Sequence, residues 1–168
     1  MELPLGYVLS RQSSQLLILT DSGKTVFHCT THQFSDTQVV YPVAVMSSDP
    51  AHRTALPDLK LQILEHLLHQ HRAILLSAGN ESTGGRFSWQ TQLQYLISHG
   101  YNAYQLTGTQ ISRFDDKALQ AALAKPWTER LPLVMVSRHE LQLNEDYDIP
   151  VDLVHSLDEL DARAALEG

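Results

Sequence analysis

The 168-residue chain has little of three features that would fix its class at once. Its single cysteine, Cys29, rules out a disulfide within the chain, and a reducing, cytoplasmic location is expected. It contains no run of about 18 apolar residues, so we predict no membrane span and no membrane partner. Residues 1–4 have neither the basic nor the apolar region of a signal peptide. Disulfide-stabilised secreted proteins and membrane proteins are therefore disfavoured.

Positive charge is also scarce. Asp and Glu number 19 against 12 Lys and Arg, which gives a formal net charge of -7. Because duplex binding depends on neutralising phosphates with Lys and Arg, we expect no duplex nucleic acid as partner. The acidity is concentrated in residues 140–161, which contain no Lys or Arg. That segment is either a solvated acidic edge or a surface that docks a basic protein.

Recognised catalytic and cofactor motifs are missing as well. The chain lacks a P-loop ending, a dinucleotide glycine fingerprint, a Gly-x-Ser-x-Gly elbow and a His-Glu-x-x-His pair. We therefore expect no bound cofactor and no native metal.

What is present is a clear succession of elements. Three β-rich runs at residues 5–9, 15–20 and 25–29 are joined by turn-forming residues and predict a small antiparallel meander. Residues 39–46 are β-rich too. Pro42 lies within them and cannot donate to a central ladder, so the strand either begins near Pro42 or lies at an edge there.

From residue 57 onwards helical and apolar β patterns alternate. Helices are predicted at 57–71, 89–100 and 115–124 and from Ser156, and strands at 73–78, 102–106, 131–136 and 151–154. Gly100 is expected to close the second helix as its C′ residue. Apolar strands alternating with helices are typical of parallel sheets. We predict one domain, residues 1–168: a three-layer α/β core (39–168) with a mainly parallel, Rossmann-like sheet of four or five strands, preceded by the meander (1–38).

In a parallel sheet the carboxyl ends of all strands share one rim, where ligands gather. The glycine-rich loop before the second predicted helix, together with Arg138, would form an anion site there through backbone N–H groups, hydroxyls and guanidinium groups. The expected ligand-binding residues are Ser77, Asn80, Ser82, Thr83, Gly84, Gly85, Arg86 and Arg138. His139 is the candidate acid or base. A solvent loop with Ser88 as helix N-cap explains the same loop residues.

Nine histidines raise the question of a metal. The two groups with suitable side chains are Glu65, His66 and His69 on a predicted helix, and His28, Cys29 and His32 near a predicted strand. Neither has a recognised spacing, and histidines on solvated faces account for the first group equally well.

Two functions follow from these observations. The sequence favours a non-catalytic cytoplasmic accessory or protein-interaction domain, whose partner is another protein, because no catalytic signature is found. The alternative is a small-ligand-binding protein or an enzyme that acts on an anionic, possibly phosphorylated, substrate at the rim.

Overall fold

The computed structural model describes residues 3–13, 16–34, 39–46, 56–77, 83–107, 110–126, 131–143, 157 and 159. These residues form eight strands and three helices. In chain order they are β1 Tyr7–Ser13, β2 Leu16–Asp21, β3 Lys24–Phe34, β4 Val39–Met46, α1 Leu56–Gln70, β5 Ala73–Leu76, α2 Thr83–Ser98, β6 Asn102–Thr107, β7 Gln110–Arg113, α3 Asp116–Leu123 and β8 Val134–Ser137. None of these helices is both long and apolar enough to cross a bilayer.

All eight strands belong to one sheet with the order β1-β2-β3-β4-β5-β8-β6-β7. Only β4 and β5 pair in parallel, and every other neighbouring pair is antiparallel. The prediction of a mainly parallel, Rossmann-like sheet of four or five strands is therefore wrong. The meander strands β1 to β3 extend this same sheet through the pairing of β3 with β4.

The error comes from β8. Strands β5 and β6 each pair antiparallel with β8, so they run in the same direction as each other and as β4. The first two of the β-α-β connections predicted from the sequence thus exist, but the third fails, because β8 enters between β5 and β6 in the opposite direction. Its four residues are all buried, and a strand buried on both faces is apolar whichever way it runs.

Helices α1, α2 and α3 cover one face of the sheet. Ile74 and Leu76 of β5 pack in a core cluster with residues of α1, α2 and α3, whereas Ala73 and Leu75 belong to a second cluster. Since neighbouring residues of a strand point to opposite faces, the second cluster marks the other face. Leu141 and Leu157 pack on that face.

A strand at 151–154 and a helix from Ser156 are predicted near the end of the chain. The predicted strand 151–154 lies outside the described residues. Of the predicted last helix, Leu157 and Glu159 are described, and both are helical.

Candidate functional site

The parallel pair of β4 and β5 opens soon after it begins. Its ladder consists of Val39 opposite Ala73 and Val40 opposite Ile74. Continuing this register sets Pro42 beside Leu76, the last residue of β5, so residues 43–46 of β4 extend beyond the end of β5. There they remain paired with β3 on their other side. Pro42 has no N–H to donate, which suits a strand whose partner is about to end.

The next strand on the far side of β5 also extends past it. Leu76 pairs with Val134 of β8, and the chain leading into β8 continues with Leu133, whose carbonyl accepts from the N–H of Leu106 at 2.9 Å. Among the described residues, the end of β5 therefore lies in a gap, which we call the notch, between residues 43–46 and Leu133. A gap one strand wide is about 10 Å across, because neighbouring strands lie about 4.8 Å apart.

Helix α2 begins a short distance along the chain from the notch. Ser77 follows β5 directly, and α2 starts at Thr83, so that Gly84 and Gly85 lie in its first turn. Ser88 is thus inside the helix and is not its N-cap. The first turn holds no acidic residue, and the first N–H groups of a helix lack intrahelical acceptors and carry partial positive charge.

The predicted site residues lie at opposite ends of the central strands, so that the structure separates them into two groups. Ser77 and the turn from Thr83 to Arg86 follow the carboxyl end of β5, whereas Asn80 and Ser82 lie outside the described residues. Arg138 and His139 follow β8, which runs antiparallel to β5, with Val136 opposite Ile74. They therefore lie at the opposite edge, and His139 is not positioned to act as acid or base in the notch.

The first histidine group has other partners. The hydroxyl of Tyr95 donates to Oε1 of Glu65, and the hydroxyl of Tyr101 donates to Oε2 of Glu65 at 3.2 Å. The hydrogen bond to the carboxylate, followed by burial, raises the pKa of Tyr95 to about 12. Burial and the Glu65 charge raise the pKa of Tyr101 as well. Glu65 therefore links α1 to α2 and to the start of β6.

His66 and Cys29 are not arranged as metal ligands. The ring Nε2 of His66 lies 2.9 Å from Nε2 of Gln70, one helical turn away. Cys29 is buried in β3, and burial raises its pKa to about 12, which opposes the thiolate that a metal requires. Within the described ranges, no group of three His, Cys, Asp or Glu side chains is arranged to hold a metal ion.

Pro42 is the residue of the predicted strand 39–46 that bears on the notch. The sequence predicts that this strand either begins near Pro42 or lies at an edge there, whereas β4 begins at Val39 and lies between β3 and β5 in the sheet. Its recorded ladder with β5 consists of the pairs at Val39 and Val40. The length of β4 that extends past β5 depends on β5 ending at Leu76. The apolar run 73–78 does not indicate that end point.

No family model matches the chain, and no curated protein sequence matches it. Three solved structures are similar to it. An acetyltransferase of the GNAT family from Bacillus anthracis is 10% identical, with a TM-score of 0.37 over 73% of this chain and 63% of that one. The ribosomal-protein-S18-alanine N-acetyltransferase from Escherichia coli is 15% identical, with a TM-score of 0.39 over 85% and 76%.

The third is N-acetylglutamate synthase from Neisseria gonorrhoeae, solved with coenzyme A and N-acetyl-glutamate. It is 12% identical, with a TM-score of 0.35 over 80% of this chain and 30% of that one. The chain thus spans less than two thirds of the first and third of these proteins. Similarity at this level fixes neither a substrate nor a catalytic residue.

The three proteins just described are enzymes. The prediction of a non-catalytic accessory or protein-interaction domain is contradicted by this comparison and is wrong. The alternative drawn from the sequence, a small-ligand protein or enzyme that takes an anionic substrate, agrees with it better.

Proposed function

We propose that the chain binds a small anionic ligand in the notch and acts on it as an enzyme. The observation that carries the proposal is the opening between β4 and β5, where residues 43–46 extend past the end of β5. The candidate ligand-binding residues there are Ser77 and the turn from Thr83 to Arg86, with Asn80 and Ser82 between them in the sequence.

Two kinds of backbone group meet at this edge. Beyond Leu76, no described residue pairs with the side of β4 that faces β5. An extended amide can therefore pair with the N–H and C=O groups there, as an added strand would. The start of α2 presents N–H groups and the positive end of the helix, which favour a phosphate or carboxylate. A ligand with amides and phosphates in one molecule, such as a coenzyme A thioester, matches both.

The first experiment measures binding of acetyl coenzyme A, coenzyme A, ATP and inorganic phosphate by calorimetry and by the rise in melting temperature. A ligand that uses both backbone groups binds more tightly than phosphate alone. The proposal is abandoned if none of the four stabilises the protein.

A variant locates the binding. Gly84→Asp places a carboxylate in the first turn of α2, where it repels an anion, and we expect at least about tenfold weaker binding. Gln94→Asp adds the same charge on an exposed position of the same helix and is the matched control. Equal affinity of Gly84→Asp and wild type would place the ligand elsewhere.

A separate assay distinguishes an enzyme from a binding protein. Release of free thiol from acetyl coenzyme A in the presence of a mixture of amines reports acyl transfer. Tight binding of acetyl coenzyme A without release of thiol would show that the protein binds the ligand but does not transfer its acyl group. A cytoplasmic location belongs to the same proposal, because the one cysteine is a free thiol.

A further inference from the structure

Arg138 lies beside two histidines near the amino end of β5, whereas the notch lies at the carboxyl end of that strand. Its Nη1 donates to Nδ1 of His69 at 2.8 Å, and its Nη2 donates to Nε2 of His139 at 3.2 Å. A guanidinium group only donates, so both ring nitrogens accept. We call these three residues the arginine cluster.

The backbone beneath the cluster is held from several sides. The hydroxyl of Ser137, which is fully buried, donates to the carbonyl of Arg72 at 2.8 Å and accepts from the N–H of His139 at 3.3 Å. The side-chain amide of Asn102 donates to the carbonyl of Arg138 at 3.4 Å. These contacts join the start of β5, the start of β6 and the end of β8, so the cluster is fixed on the sheet.

Within the described part of the chain, Arg138 has no acidic partner. Among the residues that the structure describes, no carboxylate lies within ion-pair distance of its guanidinium group. The nearby Arg113, in contrast, is paired with Glu140. Both oxygens of Glu65 accept from tyrosine hydroxyls instead. In a chain of net charge -7, an exposed arginine that has no carboxylate partner among the described residues is suited to an external anion.

We propose that the arginine cluster is a second anion site, which binds a phosphate or carboxylate group of a small molecule. Of the five N–H donors of a guanidinium, two donate to the imidazoles and three remain. The second nitrogens of His69 and His139 add an N–H each. All three side chains are exposed, so a ligand reaches them from solvent.

This site is independent of the proposed function. The notch lies at the carboxyl end of β5, and the arginine cluster lies near the amino end of β5. A substitution in one site therefore leaves the other site unchanged. Failure of one proposal leaves the other intact, because different ligands and different variants test them.

The test measures binding of inorganic phosphate and of succinate by amide chemical-shift changes and by the rise in melting temperature. Sodium chloride at equal ionic strength is the reference, since it screens charge without offering oxygen acceptors. Shifts at residues 137–139 are expected with at least one of the two anions, and the better ligand shows whether the site prefers phosphate or carboxylate. If neither anion exceeds chloride, the proposal is overturned.

Three variants complete the test. Arg138→Gln should weaken binding at least about tenfold, because it removes the charge and the donors. Arg138→Lys keeps the charge without the planar fork and should lie in between. Lys117→Gln, which removes one positive charge from an exposed position of α3, should bind as wild type. Wild-type affinity in Arg138→Gln, or equal loss in Lys117→Gln, would show a non-specific effect of net charge.

Discussion

At the scale of single residues, Glu65 shows how a polar group on a helix surface is used within the fold. It accepts from two tyrosine hydroxyls that belong to different parts of the chain, Tyr95 in α2 and Tyr101 just before β6. The sequence indicated only that Glu65 and His69 were neighbours on one helix. The tyrosines come together with Glu65 through the packing of α1 against α2, which no local pattern encodes.

Replacing Glu65 by Gln should lower the pKa of Tyr95 from about 12 towards the ordinary value of 10.0. The carboxylate stabilises the protonated phenol, so its contribution to stability is complete below pH 10 and is lost as the pH rises through the folded pKa. Ultraviolet absorbance of phenolate between pH 9 and 11 measures the change. Tyr95→Phe assigns the signal, and ionisation of that tyrosine near pH 10 in the wild type would contradict the structure.

At the scale of elements, the end of α2 shows a sequence signal that the structure places where it was expected. Gly100 has a φ of 85°, and its N–H bonds to the carbonyl of Ile97 at 3.1 Å. The N–H of Tyr101 bonds to the carbonyl of Leu96 at 3.1 Å. This pair of bonds defines a Schellman motif with glycine at C′, the position predicted from the sequence.

Gly100→Ala should destabilise the protein by about 1 kcal/mol, because an L residue is strained at positive φ. A Cβ at this position would meet no atom within 4 Å, so strain of the backbone is the whole effect. Gly100→Asn is the control and should cost less, since asparagine tolerates this conformation. Urea denaturation measures both changes. Equal stability of Gly100→Ala and wild type would rule out the motif.

The start of α2 shows the limit of such signals. Ser88 was a reasonable N-cap because the apolar period begins at Trp89, yet the helix starts at Thr83. Two glycines in that first turn argue against helix on propensity alone. Tertiary contacts override this weak local preference, since Trp89, Leu93 and Leu96 are all buried in the core.

At the scale of the whole molecule, stability should be greatest in the middle of the sheet. Strands β5 and β8 have neighbours on both edges and consist of buried residues, whereas β1 pairs only with β2. Val8 in β1 is 57% exposed, while Leu75, Met135 and Val136 are fully buried.

Hydrogen exchange followed by NMR should therefore find the slowest amides in β5 and β8 and much faster ones in β1. Opening of β1 disturbs one neighbour, whereas release of β5 or β8 requires unfolding of the core. Protection of β1 equal to that of β8 would mean that the edge is covered by something else, such as a second chain.

The candidate sites follow the same division between local and non-local information. Turn-forming residues and the two glycines marked the segment after β5 as a ligand loop, and the structure sets the start of α2 there. The prediction placed Arg138 and His139 beside that loop because it assumed that β8 runs parallel to β5. With β8 antiparallel to β5, the two residues lie at the opposite edge, where they meet His69 instead.

The sequence by itself determined the kinds of elements and most of their order: the β-rich beginning, the helix after β4, the buried strand before α2 and the glycine that ends α2. These features depend on residue periodicity and turn chemistry, which are local. Only the tertiary structure decided the direction of β8, the single eight-stranded sheet and the early end of β5 that opens the notch. The physical reason is that an apolar strand records burial on both faces, whereas its direction is fixed by hydrogen bonds to strands distant in the chain.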